Sequence, residues 1–201
     1  MFTIIDIETC GGKFQYPHGR IIEISILVHD GLQVVDKFTS LINPECYITP
    51  IYTRITGITN EMVKKAPYFQ QVANRILDMT EGRIFVAHNV NFDFGFVREE
   101  FSSLGYKFER EKLCTVKLSR KLIPGHTSYS LGKLCAALNI PITGRHRAEG
   151  DAVATAQLFN LLLRAKSAHP KYKSMGVEKI MGTGASKKTY PKNNFNKREL
   201  Y

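Results

Sequence analysis

The chain opens on a β-branched run, Phe2-Thr3-Ile4-Ile5-Asp6-Ile7-Glu8, which predicts a buried strand ended by Cys10-Gly11-Gly12. A polar loop with Pro17 and Gly19 follows. Two further apolar stretches, Ile21–Val28 and Gln33–Ile42, flank a His29-Asp30-Gly31 turn and predict an antiparallel meander of three strands. From Asn43 to Asn60, Pro44, Pro50 and Gly57 break the pattern, and the reading is irregular chain. Helical spacing then takes over: Tyr68, Phe69, Val72, Ala73, Ile76 and Leu77 share a face behind Pro67. Ile84–Ala87 reads as a strand, Asp93–Leu104 as a helix closed by Gly105, and Leu113–Leu118 as a fifth strand. Helices are expected from Ser128 or Ser130 to Leu138 and from Glu149 to Leu163, the last offering Val153, Ala156, Phe159, Leu162 and Leu163 for burial. Locally paired strands followed by alternating strands and helices predict an α/β fold, a mixed sheet with covering helices.

Composition narrows the class. Hydrophobic residues at 43% and charged residues at 23% suit a packed core. The apolar runs, such as Leu161–Leu163, are far too short to cross a bilayer, so no membrane association is expected. The start has no basic residues and reaches an acid at Asp6, unlike a secretory leader. Cys10, Cys46, Cys114 and Cys135 show no Cys-x-x-Cys pairing, which points to reduced thiols in a cytoplasmic protein. The net charge of +10 is localised: residues 164–201 hold ten Lys and Arg against Glu178 and Glu199. The expected organisation is therefore a domain over residues 1–169 and a basic, disordered tail over 170–201. Such a tail suits a polyanion, nucleic acid above all, or is simply a solvated terminus.

The chemistry lies in the acids. Asp6 and Glu8 are two apart on a strand and so share a face with Phe2 and Ile4. Two close carboxylates there either reach solvent or recruit a cation. Asp93, in Ala87-His88-Asn89-Val90-Asn91-Phe92-Asp93, and Asp151, in His146-Arg147-Ala148-Glu149-Gly150-Asp151, each stand near a helix start, where capping is an alternative role.

The order of these blocks resembles the DEDDh 3′–5′ exonucleases, a family that includes the proofreading epsilon subunit of bacterial DNA polymerase III. The resembling blocks are Asp6-Ile7-Glu8-Thr9, Ile42-Asn43-Pro44, Ile55-Thr56-Gly57-Ile58-Thr59, the Asp93 block, Cys114-Thr115, Ser128-Tyr129-Ser130-Leu131 and His146-x4-Asp151, across residues 2–163. The resemblance implies a ribonuclease-H-like fold, a mixed five-stranded sheet flanked by helices. It implies that Asp6, Glu8, Asp93 and Asp151 gather two divalent cations, Mg²⁺ or Mn²⁺, hard ions that prefer oxygen ligands. His146 becomes the general base, since an imidazole with a pKa of about 6.5 can take a proton at neutral pH.

For the substrate, the resemblance implies that Thr9 meets the terminal sugar, that Ile55 and Thr56 wedge beside the last bases, and that Phe92 packs on sugar or base, with a place in the core the alternative for Ile55 and Phe92. His88 and Asn89 match the family block, as substrate contacts or only as residues that shape it, and Arg54 is a candidate phosphate contact. Cys10 stands where relatives often carry Thr. The implied substrate is a single-stranded or frayed 3′ end of DNA, released as nucleoside 5′-monophosphates in proofreading, replication or repair. RNA is the alternative. The enzyme is either free-standing or a polymerase's proofreading partner, and a competing reading makes the basic tail the working part, binding a polymerase subunit.

Overall fold

Phe2–Thr9 forms the central strand, β1, with Ile4, Ile5 and Ile7 all buried because both of its faces are covered. The structure, a computed structural model, describes residues 1–12 and 19–180. Strand β2 (Ile21–His29) pairs antiparallel with β1, and β3 (Val34–Leu41) antiparallel with β2. On the other side β4 (Ile84–Ala87) runs parallel to β1, and β5 (Lys112–Cys114) parallel to β4. The order β3-β2-β1-β4-β5 is the mixed five-stranded sheet of the ribonuclease-H-like class.

Eight helices among the described residues surround it: α1 (Pro50–Thr56), α2 (Asn60–Lys64), α3 (Phe69–Thr80), α4 (Asn91–Ser103), α5 (Thr115–Leu122), α6 (Leu131–Ala137), α7 (Ala148–Ala168) and α8 (Val177–Ile180). Alternation along β1 divides the core in two. Ile5 and Ile7 pack with Phe69 and Ile76 of α3 and with Val97 and Phe101 of α4. Ile4 packs on the opposite face with Leu118, Leu134 and Phe159 from α5, α6 and α7. Helix α7 presents Ala148, Ala152, Thr155, Phe159 and Leu162, spaced by four, three, four and three, to this side. Its alanines let the first turns approach the sheet closely. On the other side, Arg20 donates Nε and Nη2 to the buried Glu100 carboxylate at 2.9 and 2.8 Å, tying the entry of β2 to α4. Both carboxylate-bearing helices, α4 and α7, are thereby held against the sheet.

The structure departs from the sequence pattern in four places. The segment expected to be irregular contains α1 and α2, whose Ile51, Ile55 and Met62 are exposed and draw no apolar stripe. The signals present there were punctuation alone: Pro50 in the first turn, Gly57 at φ +73° closing α1, and Thr59 capping α2 by accepting the Met62 N–H. The fifth strand stops at Cys114, and from Thr115 the chain is helical, burying Thr115, Leu118, Ser119 and Leu122. Val153, assigned to the buried face of the last long helix, points out from α7. Finally, the chain stays on the body past His169: Val177 and Ile180 of α8 are buried in the α7 side of the core, and Lys121 donates to the Ile180 carbonyl. Within the expected tail, residues 170–180 are described and 181–201 lie outside the described residues, as does Pro17.

Candidate active site

Strand β1 outlasts its neighbour. Its pairing with β4 runs only to Ile4–Val86, so the C-terminal half of β1 borders the chain leaving β4 toward α4. Asp93, in the first turn of α4 and 4% exposed, fills that gap, its carboxylate favoured by the backbone N–H of Ile7 and by its own. Asp6 and Glu8 project from the opposite face, where α7 begins with Asp151 in its first turn. Four carboxylates thus converge at the carboxyl end of the central parallel strands, two from β1 and one from each of two helices on opposite faces of the sheet.

Their electrostatics register the crowding. Burial, followed by the charges of Asp93, Asp151, Glu8 and Glu23, raises the Asp6 carboxyl well above the usual carboxylate range. Glu8 is pushed up to about 8 by burial and then by Asp151, Glu23 and Asp93, with Arg147 opposing. Burial lifts Asp93 to about 7. Asp151 is raised by burial too, against the stabilising N–H of His146. Such a set of oxygen donors fits a divalent cation, which would relieve the repulsion. The buried Oδ1 of Asp151 has no hydrogen-bond partner among the described residues, which leaves it available as a ligand.

A Glu8 oxygen, a His146 ring nitrogen and an Asp151 oxygen all lie within 4.8 Å of one another. The ring therefore already faces the acids, although His146 is exposed. Its backbone is left-handed at φ +60°, two residues after Gly144 at φ +68°, and its N–H donates to Asp151 Oδ2 at 3.1 Å. Asp151 thus braces the histidine loop rather than capping α7. Gly150 makes room for that loop: a Cβ there would sit 2.1 Å from the Thr143 carbonyl oxygen and 2.4 Å from that of Gly144.

The other expected site residues are placed unequally. Ile55 and Phe92 are 47% and 39% exposed, with Phe92 resting on Phe96 at a ring distance of 5.0 Å. Asn89 is exposed, with φ +74°. Thr9 is buried and donates its hydroxyl to the Gly11 carbonyl. Two more have internal hydrogen-bond partners. Thr56 is buried, its hydroxyl donating to the Tyr52 carbonyl and accepting from the Ile58 N–H, so it shapes the turn after α1. His88 spends both ring nitrogens internally, on Thr115 Oγ1 at 3.0 Å and the Tyr129 carbonyl at 2.8 Å, and fastens β4 to two neighbouring segments.

Sequence reasoning passed over Glu23 and Arg147 altogether. Glu23 looks like an ordinary surface acid in Ile22-Glu23-Ile24, yet it is buried and paired with Arg147. The one available signal was an acid within an otherwise apolar strand.

Comparisons with known proteins identify the family. The model of the RNase_T exonuclease family matches residues 3–159. The chain is 36% identical over 159 residues to the 3′-5′ exonuclease DinG of Bacillus subtilis, covering 79% of this chain and 17% of that protein. It is 34% identical over 179 residues to the PolC-type DNA polymerase III of Caldanaerobacter subterraneus, covering 89% of this chain and 12% of that protein. The chain thus spans less than a fifth of the length of either of these curated relatives. Among solved structures, Exonuclease X in complex with 5′ overhanging duplex DNA superposes with a TM-score of 0.68 at 29% identity, covering 86% of this chain and 97% of that one. The nuclease domain of 3′hExo, a DEDDh family member bound to rAMP, shares the fold with a TM-score of 0.71 at 19% identity, covering 81% and 91%. With the family model spanning most of the chain and the acids gathered around β1, this protein belongs to the RNase_T exonuclease family, the DEDDh-type 3′–5′ exonucleases.

Proposed function

We propose that this chain hydrolyses DNA from the 3′ end to nucleoside 5′-monophosphates, with His146 as general base and a metal-dependent site built from Asp6, Glu8, Asp93 and Asp151. The observation that carries the proposal is the convergence of Glu8, His146 and Asp151 within 4.8 Å, beside two more acids, Asp6 and Asp93, whose ionised forms burial disfavours. Those four carboxylates would hold two divalent cations, Mg²⁺ or Mn²⁺, which when bound supply charge neutralisation at the phosphodiester and an activated water.

The remaining work falls to the chain itself. His146 takes the proton of the attacking water at a ring nitrogen and, being exposed, returns it to solvent. Its loop is held at the backbone by the Asp151 carboxylate, with the ring near Glu8 and Asp151. Phe92 offers an exposed ring and Ile55 an exposed aliphatic surface, and such contacts with a terminal base are tolerant of sequence. Thr9, next to Glu8, and the exposed Asn89 are the residues assigned to the terminal sugar and its surroundings. The basic surplus of residues 164–201 serves a nucleic acid or a polymerase partner, with each lysine–phosphate contact adding salt sensitivity.

The test is a 5′-labelled single-stranded DNA oligomer incubated with Mg²⁺ or Mn²⁺. A ladder shortening from the 3′ end is expected, absent with chelator and weakened by roughly 10²–10⁴-fold in His146→Ala. A matched RNA oligomer degraded in preference would reassign the substrate, and intact DNA and RNA with both metals would refute the proposal.

Gly150→Ala provides an independent check on the loop. Backbone carbonyls cannot yield as a flexible side chain would, so residues 143–146 must shift. The expected result is a folded protein destabilised by about 1–3 kcal/mol, with kcat reduced on the order of 10-fold or more. Wild-type kcat in this variant would show that the loop position is immaterial.

A further inference from the structure

The geometry points to a positioning device behind His146, and the inference rests on the exonuclease reading above. We propose that Glu23 and Arg147 form a clamp that sets the His146 loop and the start of α7 over the Glu8 end of β1.

Glu23 sits on β2, a strand buried at all nine positions, and is itself 2% exposed. The β1–β2 register places it directly opposite Glu8. Like charges opposite each other in an antiparallel pair destabilise a sheet, and a buried charge without a partner costs more still. A strand built only for packing would carry an apolar residue here.

The carboxylate is instead satisfied from α7. Arg147 Nε donates to Oε1 and Oε2 at 3.2 and 3.0 Å, and Nη2 donates to Oε1 at 2.6 Å. The Ala148 N–H donates to Oε2 at 2.8 Å. A planar guanidinium fork fixes direction as well as distance. Arg147 also joins the loop to the helix through its backbone: its N–H donates to the Gly144 carbonyl at 3.2 Å, and its carbonyl accepts from the Asp151 N–H at 3.1 Å. His146, the residue before it, is held from the other side by Asp151. The buried ion pair is therefore the link that converts the strand register of Glu8 into the position of His146 and Asp151.

A clamp that acts through His146 predicts non-additive kinetics. Arg147→Lys keeps the charge and loses the fork. It is expected to lower kcat about 10- to 100-fold while KM for the labelled DNA oligomer stays within about twofold. In a His146→Ala background the same substitution is expected to lower kcat by less than about threefold, because the group it positions is gone. Steady-state assays with Mn²⁺ over a range of oligomer concentrations measure kcat and KM at all four corners of the cycle. Glu23→Gln, isosteric with the native side chain, is the second variant and follows the same pattern. Equal losses in the two backgrounds, or an unchanged kcat in both variants, overturn the clamp and leave the exonuclease reading intact. A wild-type protein without activity on DNA or RNA overturns that reading and the clamp with it.

Discussion

Asp6→Asn is expected to lower kcat by roughly 10⁴-fold or more while making the metal-free protein more stable. Asp6 lies at the centre of the carboxylate cluster, and burial and four neighbouring acids oppose its charge. An amide of the same shape experiences none of that repulsion, so thermal unfolding in chelator should shift upward. The activity loss follows from the same position, since the substitution removes an oxygen ligand from the middle of the site. Two measurements check this: hydrolysis of the labelled oligomer, and the unfolding midpoint with and without Mg²⁺. A variant that is both inactive and less stable in chelator would mean that Asp6 is held by favourable contacts, contrary to the electrostatics above.

Stripped of divalent ions, the protein is expected to lose stability as the pH rises from about 6.5 to 8.5. Unfolded carboxyls titrate near pH 4, whereas the folded state keeps Asp93 protonated to about 7 and Glu8 to about 8. Between those limits the native protein binds more protons than the unfolded chain, so stability falls with pH and the loss is complete above the folded values. His29 and His88 work in the opposite direction: burial lowers both, and they favour the fold as pH rises toward their unfolded value near 6.5. Above that pH their contribution is complete and the carboxylate slope stands alone. The unfolding midpoint should drop by on the order of 5 °C across the window, and Mg²⁺ or Mn²⁺ should remove most of the drop by binding the ionised site. A midpoint that is flat or rises with pH in chelator would contradict the arrangement.

Much of the fold was legible because the periods were clean. Two-residue alternation put Asp6 and Glu8 on one face of β1, and the spacing of Phe69, Val72, Ala73, Ile76 and Leu77 marked α3. Legibility failed where elements were short or their apolar residues stayed exposed. Helices α1 and α2 have seven and five residues, and α5 begins inside a run whose Leu113 and Val116 suit a strand equally well. Thr56 and Ile55 are neighbours in sequence, but one is buried and the other exposed, a distinction that only the turn of α1 makes.

The sequence by itself determined which acids exist, their strand and helix contexts, and through them the family. Those features are local, since strand alternation and helix periodicity are properties of adjacent residues. Tertiary structure alone decided that Glu23 is a buried partner of Arg147, 124 residues away, and that His88 is a fastener. It also decided that the chain past His169 returns to the core through Val177 and Ile180. A charge acquires its role from what lies opposite it, and burial and pairing between distant segments arise only when the sheet register and the docking of α7 bring those segments together.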